Sequence, residues 1–450
     1  MKTKILLLIA LLLATGTAAA QQDSLRKVNI SGQAPGEDSE SRWSVGGYGE
    51  MLAAFKDYGL NRYYGGSGNT RKNRSEVSIP RFVLSGEYKI TPKWILTAEI
   101  EFESGGTGVA YELESGTGSE NGEYEYEVEK GGEVALEQFH ITRKIVDGFN
   151  VRAGHIVLPI GLTNAHHEPV NFFTATRPEG ATVILPSTWH ETGIELFGKF
   201  GRNYGRFQYQ VLLTAGLNPT GFNIYNWIQG GRQGFFETDN FSSPAYSARL
   251  DYKGVPGLRI GASVFYNPHT ERNCDRLNTY SDMGAINVLL YSADLQYRNR
   301  YVTVRANFLS GDITNTVGLT ARNRSYSKSS PYSRKGPVAR QAMDYSIEAG
   351  LNIQAFFPQA KKFRPLYIFA HYNYYNPQEK GEEGLTMDPR CQVSAWSFGL
   401  NWEAARGLVV KADYTTRQIG THAPFAQGAF TSENEFRLGI AYALWFSNRF

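Results

Sequence analysis

The sequence predicts an all-β fold: a transmembrane, antiparallel up-and-down β-barrel of about sixteen strands, eighteen being the other count, with a constricting loop. Three observations lead there. From about Ser44 onward, segments of ten to fourteen residues alternate apolar and polar side chains, the period of a strand with one greasy and one wet face. The breaks between segments alternate short and long, as tight turns at one end of a barrel and longer loops at the other require. The segments also exceed the roughly five or six residues usual in soluble sheets, and they match the roughly 9–11 residues that a tilted strand needs to cross hydrocarbon.

The chain opens with Met1-Lys2-Thr3-Lys4, a basic start, followed by an apolar run from Ile5 to Ala14 and the small residues Ala18-Ala19-Ala20. That pattern reads as a secretory signal peptide over residues 1–20, too short for a membrane anchor. No Cys follows the run to take a lipid. Residues 21–43 are polar and rich in Gly, Pro, Ser and acids, a flexible leader. The barrel is then expected over 44–450.

The alternation is plain in several places. In "PKWILTAEIEFES", Trp94, Leu96, Ala98, Ile100 and Phe102 oppose Thr97, Glu99, Glu101 and Glu103. "YSARLDYK", "LRIGASVFY", "NVLLYSADLQYR" and "YSIEAGLNIQAF" repeat the pattern. Short breaks fall at Thr91-Pro92, Asp147-Gly148, 202–205, 254–257, Asn299-Arg300 and 405–407, with a longer one near 357–363. Long breaks fall near 57–75, 105–132, 159–190, 217–243, 268–285, 311–342, 376–392 and 419–432; these eight imply sixteen strands. A soluble sandwich or propeller would also bury an apolar face. It would not place Tyr88, Trp94, Tyr252, Tyr266, Trp402, Tyr414 and Trp445 near strand ends, where membrane-interface girdles lie.

In hydrocarbon every backbone group must be paired, so the sheet must close. The last strand, "LGIAYALWFSNRF", therefore has to meet the first, near 44–55. Leu438, Ile440, Tyr442, Leu444 and Phe446 form its lipid face, and Trp445 falls unexplained on the face of small residues. About sixteen strands leave an interior too wide for side chains to fill, so the polar faces are expected to line water. The predicted inward cations are Arg81, Arg152, Arg206, Arg249, Arg259, Arg298, Arg305, Lys411, Arg417 and Arg437, mixed with many Glu and Asp. A mixed wall selects ions weakly unless its charges segregate in space. Pairing across neighbouring strands as structural salt links is the other reading.

The segment "PIGLTNAHHEPVNFFTATRPEGATVILPSTWH" (159–190) is long, weakly charged and partly apolar. It is expected to fold into the barrel and narrow it, bringing His166, His167, Arg177 and His190 to the solute path; an outer loop packed on its neighbours is the alternative. Neighbouring His166 and His167 lack a spacing that would converge on one ion, so no metal is expected there, and no cofactor is implied. The acidic run over 114–133 reads as a solvated outer loop. No G-x-S-x-G or H-E-x-x-H occurs, and the chain is not expected to be an enzyme. A net charge of +3 gives no case for nucleic acid. Cys274 and Cys391 are few for an exported chain; one disulfide in an oxidising compartment and two unpaired thiols are both open, the second slightly favoured.

The stretch "VRAGHIVLPIGL", with Gly154, Pro159 and Gly161, resembles the phosphate-selective porin O and P family. So does "WHETGIELFG", with Gly193, and "LEQFHITRKIVDGFNVRAG" is similar as well. The Tyr-rich loops and the terminal Phe450 resemble the branch found in Bacteroides-type bacteria. The likeness runs from about Ser44 to Phe450. It implies a trimeric outer-membrane channel with a constricting loop. Phosphate-selective members of that family use an arginine ladder and lysine clusters, whereas here Arg is mixed with Glu. The expectation is thus an outer-membrane porin for small hydrophilic solutes and ions, with an anion or phosphate preference as a further option. A surface adhesin or binding scaffold on the same barrel is the alternative.

Overall fold

The computed structural model describes residues 41–58, 73–104, 110–114, 125–129, 133–186, 188–201, 206–233, 238–274, 283–325, 336–357, 363–420 and 432–447. The expected signal peptide, most of the leader and Phe450 lie outside these residues. The strands are β1 (Trp43–Asp57), β2 (Arg74–Thr91), β3 (Trp94–Glu103), β4 (Ala110–Glu114), β5 (Glu125–Glu129), β6 (Glu133–Val146), β7 (Phe149–Val157), β8 (His190–Phe200) and β9 (Phe207–Thr214). They continue with β10 (Ala245–Tyr252), β11 (Leu258–Asn267), β12 (Val288–Arg298), β13 (Val302–Ile313), β14 (Gln341–Asn352), β15 (Leu366–Lys380), β16 (Val393–Ala405), β17 (Leu408–Ile419) and β18 (Ser432–Ser447).

Sixteen of these close into one antiparallel barrel, each strand beside its sequence neighbour, with β1 returning to β18. β4 and β5 form a separate hairpin within the long connection between β3 and β6. All eight long connections lie at one end and the tight turns at the other, as the sequence predicts. No helix among the described residues is long and apolar enough to cross a membrane.

The wall is inverted relative to a soluble fold. Outward side chains such as Leu250, Ile347, Phe398 and Ile440 are exposed, while inward ones such as Arg249, Glu348, Ser397 and Arg437 are buried. An exposed apolar band around a closed sheet is stable only in hydrocarbon. Exposed aromatics mark two belts: Trp43, Tyr88, Trp94, Phe200 and Trp402 toward the turns, and Phe55, Tyr246, Tyr266, Tyr345 and Trp396 toward the loops. Trp445 is explained by its partner. It lies across from Gly46 on the inward side, and a Cβ at Gly46 would stand only 2.7 Å from its ring.

Two irregularities position the site described below. Pro80 falls where the β1–β2 register slips between Glu50 and Leu52, which lets a residue without an N–H sit in a barrel strand. A second slip, between Glu99 and Ile100 on β3, inserts one extra residue into β6. Glu137 and Gln138 are both buried there, two consecutive side chains of one strand withdrawn from solvent.

Candidate functional site: a loop-filled lumen

Residues 158–189, between β7 and β8, do not cover the barrel; they enter it. Two short helices, α1 (Gly161–Ala165) and α2 (Glu179–Ile184), punctuate the segment. Its backbone polar groups are met by inward side chains of the wall. Arg249 of β10 donates to the carbonyls of Pro159 and Gly161. The Gly161 N–H donates to Ser292 of β12, and the Leu162 N–H to Asn307 of β13. The Phe173 N–H reaches Glu348 of β14 and the Gly180 N–H reaches Asn373 of β15. Asn401 of β16, Lys411 and Asp413 of β17 and Arg437 of β18 complete the ring of anchors. The loop is thus held from β10 round to β18, and on to Tyr48 of β1 and Arg81 of β2.

Lys411 is the central peg. Its ammonium donates to the carbonyls of Pro169, Phe172 and Thr174 at 2.5, 2.9 and 2.9 Å, and it sits 4.1 Å from the centre of the Phe172 ring. All three of its donors are used, at 1% exposure. The apolar parts of the loop pack rather than float. Phe173 stacks against Phe369 and tilts against Tyr367 on β15. Ile184, Leu185 and Trp189 join an apolar core with Phe222, Trp227, Phe265, Leu290 and Leu309 at the loop end of the lumen. Gly439 of β18 makes room for the loop, since a Cβ there would stand 3.3 Å from the Cβ of Ala175.

This packing corrects the expectation of a water-lined wall. The inward charges at mid-height are covered, none more than 9% exposed: Arg81, Arg249, Arg259, Arg305, Lys411, Arg417 and Arg437 are all buried. Only a small gap, with room for about one water, remains between the loop and β15, β16 and β18, lined by Thr174, Thr176, Arg177, Glu179, His371, Asn373, Ser397 and Arg437. Sixteen strands do make an interior too wide for wall side chains to fill; the loop fills it instead.

The wall cations predicted from alternation are mostly paired. Arg81 joins Glu101 and Glu137, Arg152 joins Glu195, and Arg249 and Arg259 share Asp294. Arg305 pairs with Glu348, Arg417 with Glu179 and Glu435, and Arg437 with Asp413. Arg298 is set apart at the turn end, where it meets Glu403 at 3.0 Å. Arg206 is corrected: it is exposed in the turn before β9.

Space separates the signs more than the sequence suggests. Glu87, Glu99, Glu101 and Glu137 are buried on the adjacent strands β2, β3 and β6, where Arg81 is the buried guanidinium. Around β10–β18, Arg249, Arg259, Arg305, Lys411, Arg417 and Arg437 face Asp251, Asp294, Asp344, Glu348, Asp413, Glu433 and Glu435. The second sector is near balance, with one carboxylate in excess, and the first is strongly acidic.

The loop residues named from sequence all lie within the lumen. Arg177 donates to Thr188 at 2.9 Å. His190, the first residue of β8, stacks edgewise on His155 and accepts from Arg232 at 3.0 Å. His167 faces Tyr48 and Glu137. His166 is buried at 1% exposure, and neither ring nitrogen has a hydrogen-bond partner among the described residues. Burial first, then the charges of Arg259, Arg249, Arg305 and Lys253, hold its pKa well below 6.5. The inserted loop therefore carries a neutral His166, whereas a loop displaced into water would protonate it at an ordinary value. The displaced state binds the extra proton, so insertion is fully stable above about pH 6.5 and weakens as pH falls below it. Lowering pH from 7 to 5 should raise open probability in single-channel recordings, and His166→Gln should flatten that dependence.

Three features of the site were not predicted from sequence. Glu137 owes its place to a register slip that alternation cannot show. Tyr48 is flanked by Gly46, Gly47 and Gly49, a cue to a crowded inward position. Alternation puts Lys411 on the wet face, but its role as the loop's peg depends on Pro169, Phe172 and Thr174, far away in sequence.

No protein-family model matches the chain. An uncharacterized protein of Aquifex aeolicus (strain VF5) is 24% identical over 373 residues, covering 82% of this chain and 74% of that protein. OmpF of Salmonella typhi, in complex with daunomycin, superposes with a TM-score of 0.53 at 10% identity, over 90% of this chain and 98% of that one. The chain has the barrel fold of a porin. The anion-selective porin of Comamonas acidovorans aligns at 9% identity over 90% of this chain and 100% of that one, with a TM-score of 0.49. At such identities the likeness is one of fold, and selectivity has to be argued from this chain's own lumen.

Proposed function

We propose that the chain is an outer-membrane channel for passive diffusion of small hydrophilic solutes and ions, whose inserted loop governs passage. The carrying observation is the loop itself: residues 158–189 lie inside a closed barrel and are anchored to its inner wall by hydrogen bonds and one lysine peg. In the loop-in arrangement the mid-height charges are buried, so solute passage requires the loop to shift. The apolar outer band and the signal-like start support an outer-membrane place. The pore-lining residues in this reading are Arg81, His190, Arg249, Arg259, Arg305, Arg417 and Arg437 of the wall, with His166, His167 and Arg177 of the loop; Arg152 and Arg298 flank the path.

The charge map supports cations over anions. The sector of β10–β18 offers no excess of Arg or Lys to draw phosphate, and the sector of β2, β3 and β6 carries surplus carboxylate. A homotrimer rests on the family resemblance. Reconstitution in planar bilayers under a salt gradient tests the reading. Stepwise conductance with a cation-directed reversal potential is expected. Silence from folded protein, with the loop both intact and loosened, would exclude a channel.

A further inference from the structure

The acidic sector holds a second constellation that conduction does not use. The ligand atoms of Glu99, Glu137 and His167 lie within 4.8 Å of one another, and each residue is at most 2% exposed. Glu99 and Glu137 belong to the wall strands β3 and β6, brought together by the register slip. His167 belongs to the loop.

The orientation of His167 is fixed by its other nitrogen. Nδ1 stands 3.1 Å from the carbonyl of Asn164, and a carbonyl only accepts, so Nδ1 donates. That leaves Nε2 facing the carboxylates, 3.5 Å from Glu137 and 3.0 Å from the Tyr48 hydroxyl. A ring held this way by a backbone carbonyl is how ligating histidines are oriented.

Hydrogen counting then exposes a deficit. The Tyr48 oxygen accepts from Arg81 at 3.1 Å and stands 3.0 Å from Glu99, 2.9 Å from Glu137 and 3.0 Å from His167 Nε2. With Nε2 presenting its lone pair, the hydroxyl owns the sole hydrogen for three contacts. Charge counting agrees: among the described residues Glu99, Glu101 and Glu137 are buried with Arg81 as the one guanidinium bridging them, and the Gln138 amide that donates to Glu99 at 2.9 Å is neutral. Buried carboxylates without matching cations are costly.

We propose that Glu99, Glu137 and His167 bind a divalent cation that fastens the loop to the acidic wall. Two carboxylate oxygens and one imidazole nitrogen suit a borderline ion such as Zn²⁺. Bonds of about 2.0–2.2 Å would set the three ligand atoms roughly 3.4 Å apart, a closure within reach of side-chain rotation. Arg81 keeps Glu101 when the ion draws Glu137 away. Tyr48 donates its one hydrogen to whichever ligand oxygen remains outside the bonds. The site stands on the placement of the loop and does not depend on whether the barrel conducts.

The test is equilibrium dialysis of the folded, detergent-solubilised full chain against micromolar Zn²⁺, with bound metal read by elemental analysis. About one ion per chain is expected, with occupancy falling as pH drops because protons compete for the ligands. His167→Gln, a change on the loop that leaves the wall intact, should weaken binding by about tenfold or more. Glu137→Gln should do the same, with heat-shifted gel migration reporting that each variant remains folded. Glu76→Gln, on β2 outside the cluster, should bind like the parent. Absence of binding to the parent chain, or equal binding by the parent and His167→Gln, would overturn the proposal.

Discussion

Lys411→Met is expected to raise single-channel conductance several-fold and to make the traces noisier. Methionine keeps the apolar stem but removes the ammonium. The carbonyls of Pro169, Phe172 and Thr174 then lose their common donor while still buried. Each unsatisfied buried acceptor costs about 1–3 kcal/mol, so the inserted state loses about 3 kcal/mol or more. At about 1.4 kcal/mol per tenfold, the displaced loop gains at least a hundredfold in relative population. The Phe172 contact, with the ammonium 4.1 Å from the ring centre, is lost as well. The wall itself does not depend on Lys411, because the β17 backbone pairs on both sides. Folded yield should therefore hold while conductance changes. Traces indistinguishable from the parent would mean that the loop is not what limits passage.

Gly154→Val is expected to act on assembly instead. Gly154 sits in β7 at φ +135°, a conformation that side-chain-bearing residues rarely adopt. A Cβ there would stand 2.3 Å from the Phe139 carbonyl oxygen and 2.7 Å from the His140 Cα, both backbone atoms of β6. Gly193 lies directly across on β8, itself 2.2 Å from the Leu213 carbonyl oxygen on the same measure. The crowding falls at the strand that launches the inserted loop, so it cannot be relieved by moving a side chain. A cost of about 4 kcal/mol or more is expected, seen as a large drop in heat-modifiable folded barrel on gels. Gly86→Val is the control, since nothing lies within 4 Å of a Cβ there. Equal folded yields from the two variants would refute this role for Gly154.

The barrel was legible because its physics is local. Period-two alternation marks each strand, and the lengths of the breaks mark which end each belongs to. Ile440 and Arg437 fall on opposite faces for the same reason that they sit three residues apart in an extended chain. The loop was legible in part. "NFF" and "VILP" are too apolar for an outer loop facing water, and the structure puts Phe173, Ile184 and Leu185 against the inner wall. What could not be read were the long-range meetings. That Lys411 holds Thr174, or that Glu137 faces Glu99, depends on register, closure and one inserted residue. The segregation of charge has in part the same origin: β3 carries glutamates alone, which the sequence displays, but only the order of strands around the barrel gathers them with the carboxylates of β2 and β6.

The most direct test of the account fixes the loop in place. Ala175→Cys with Gly439→Cys joins the loop to β18 at a site where the two Cβ positions lie 3.3 Å apart, close to the roughly 3.5–4.5 Å spanned by a disulfide. Single-channel conductance is compared in oxidised and reduced protein, with the parent chain under the same conditions as the control. The account predicts a channel that is silent or nearly so when oxidised and that opens on reduction, while the parent is unaffected by either. Equal conductance in the two redox states, with the cross-link verified by mass, would contradict it.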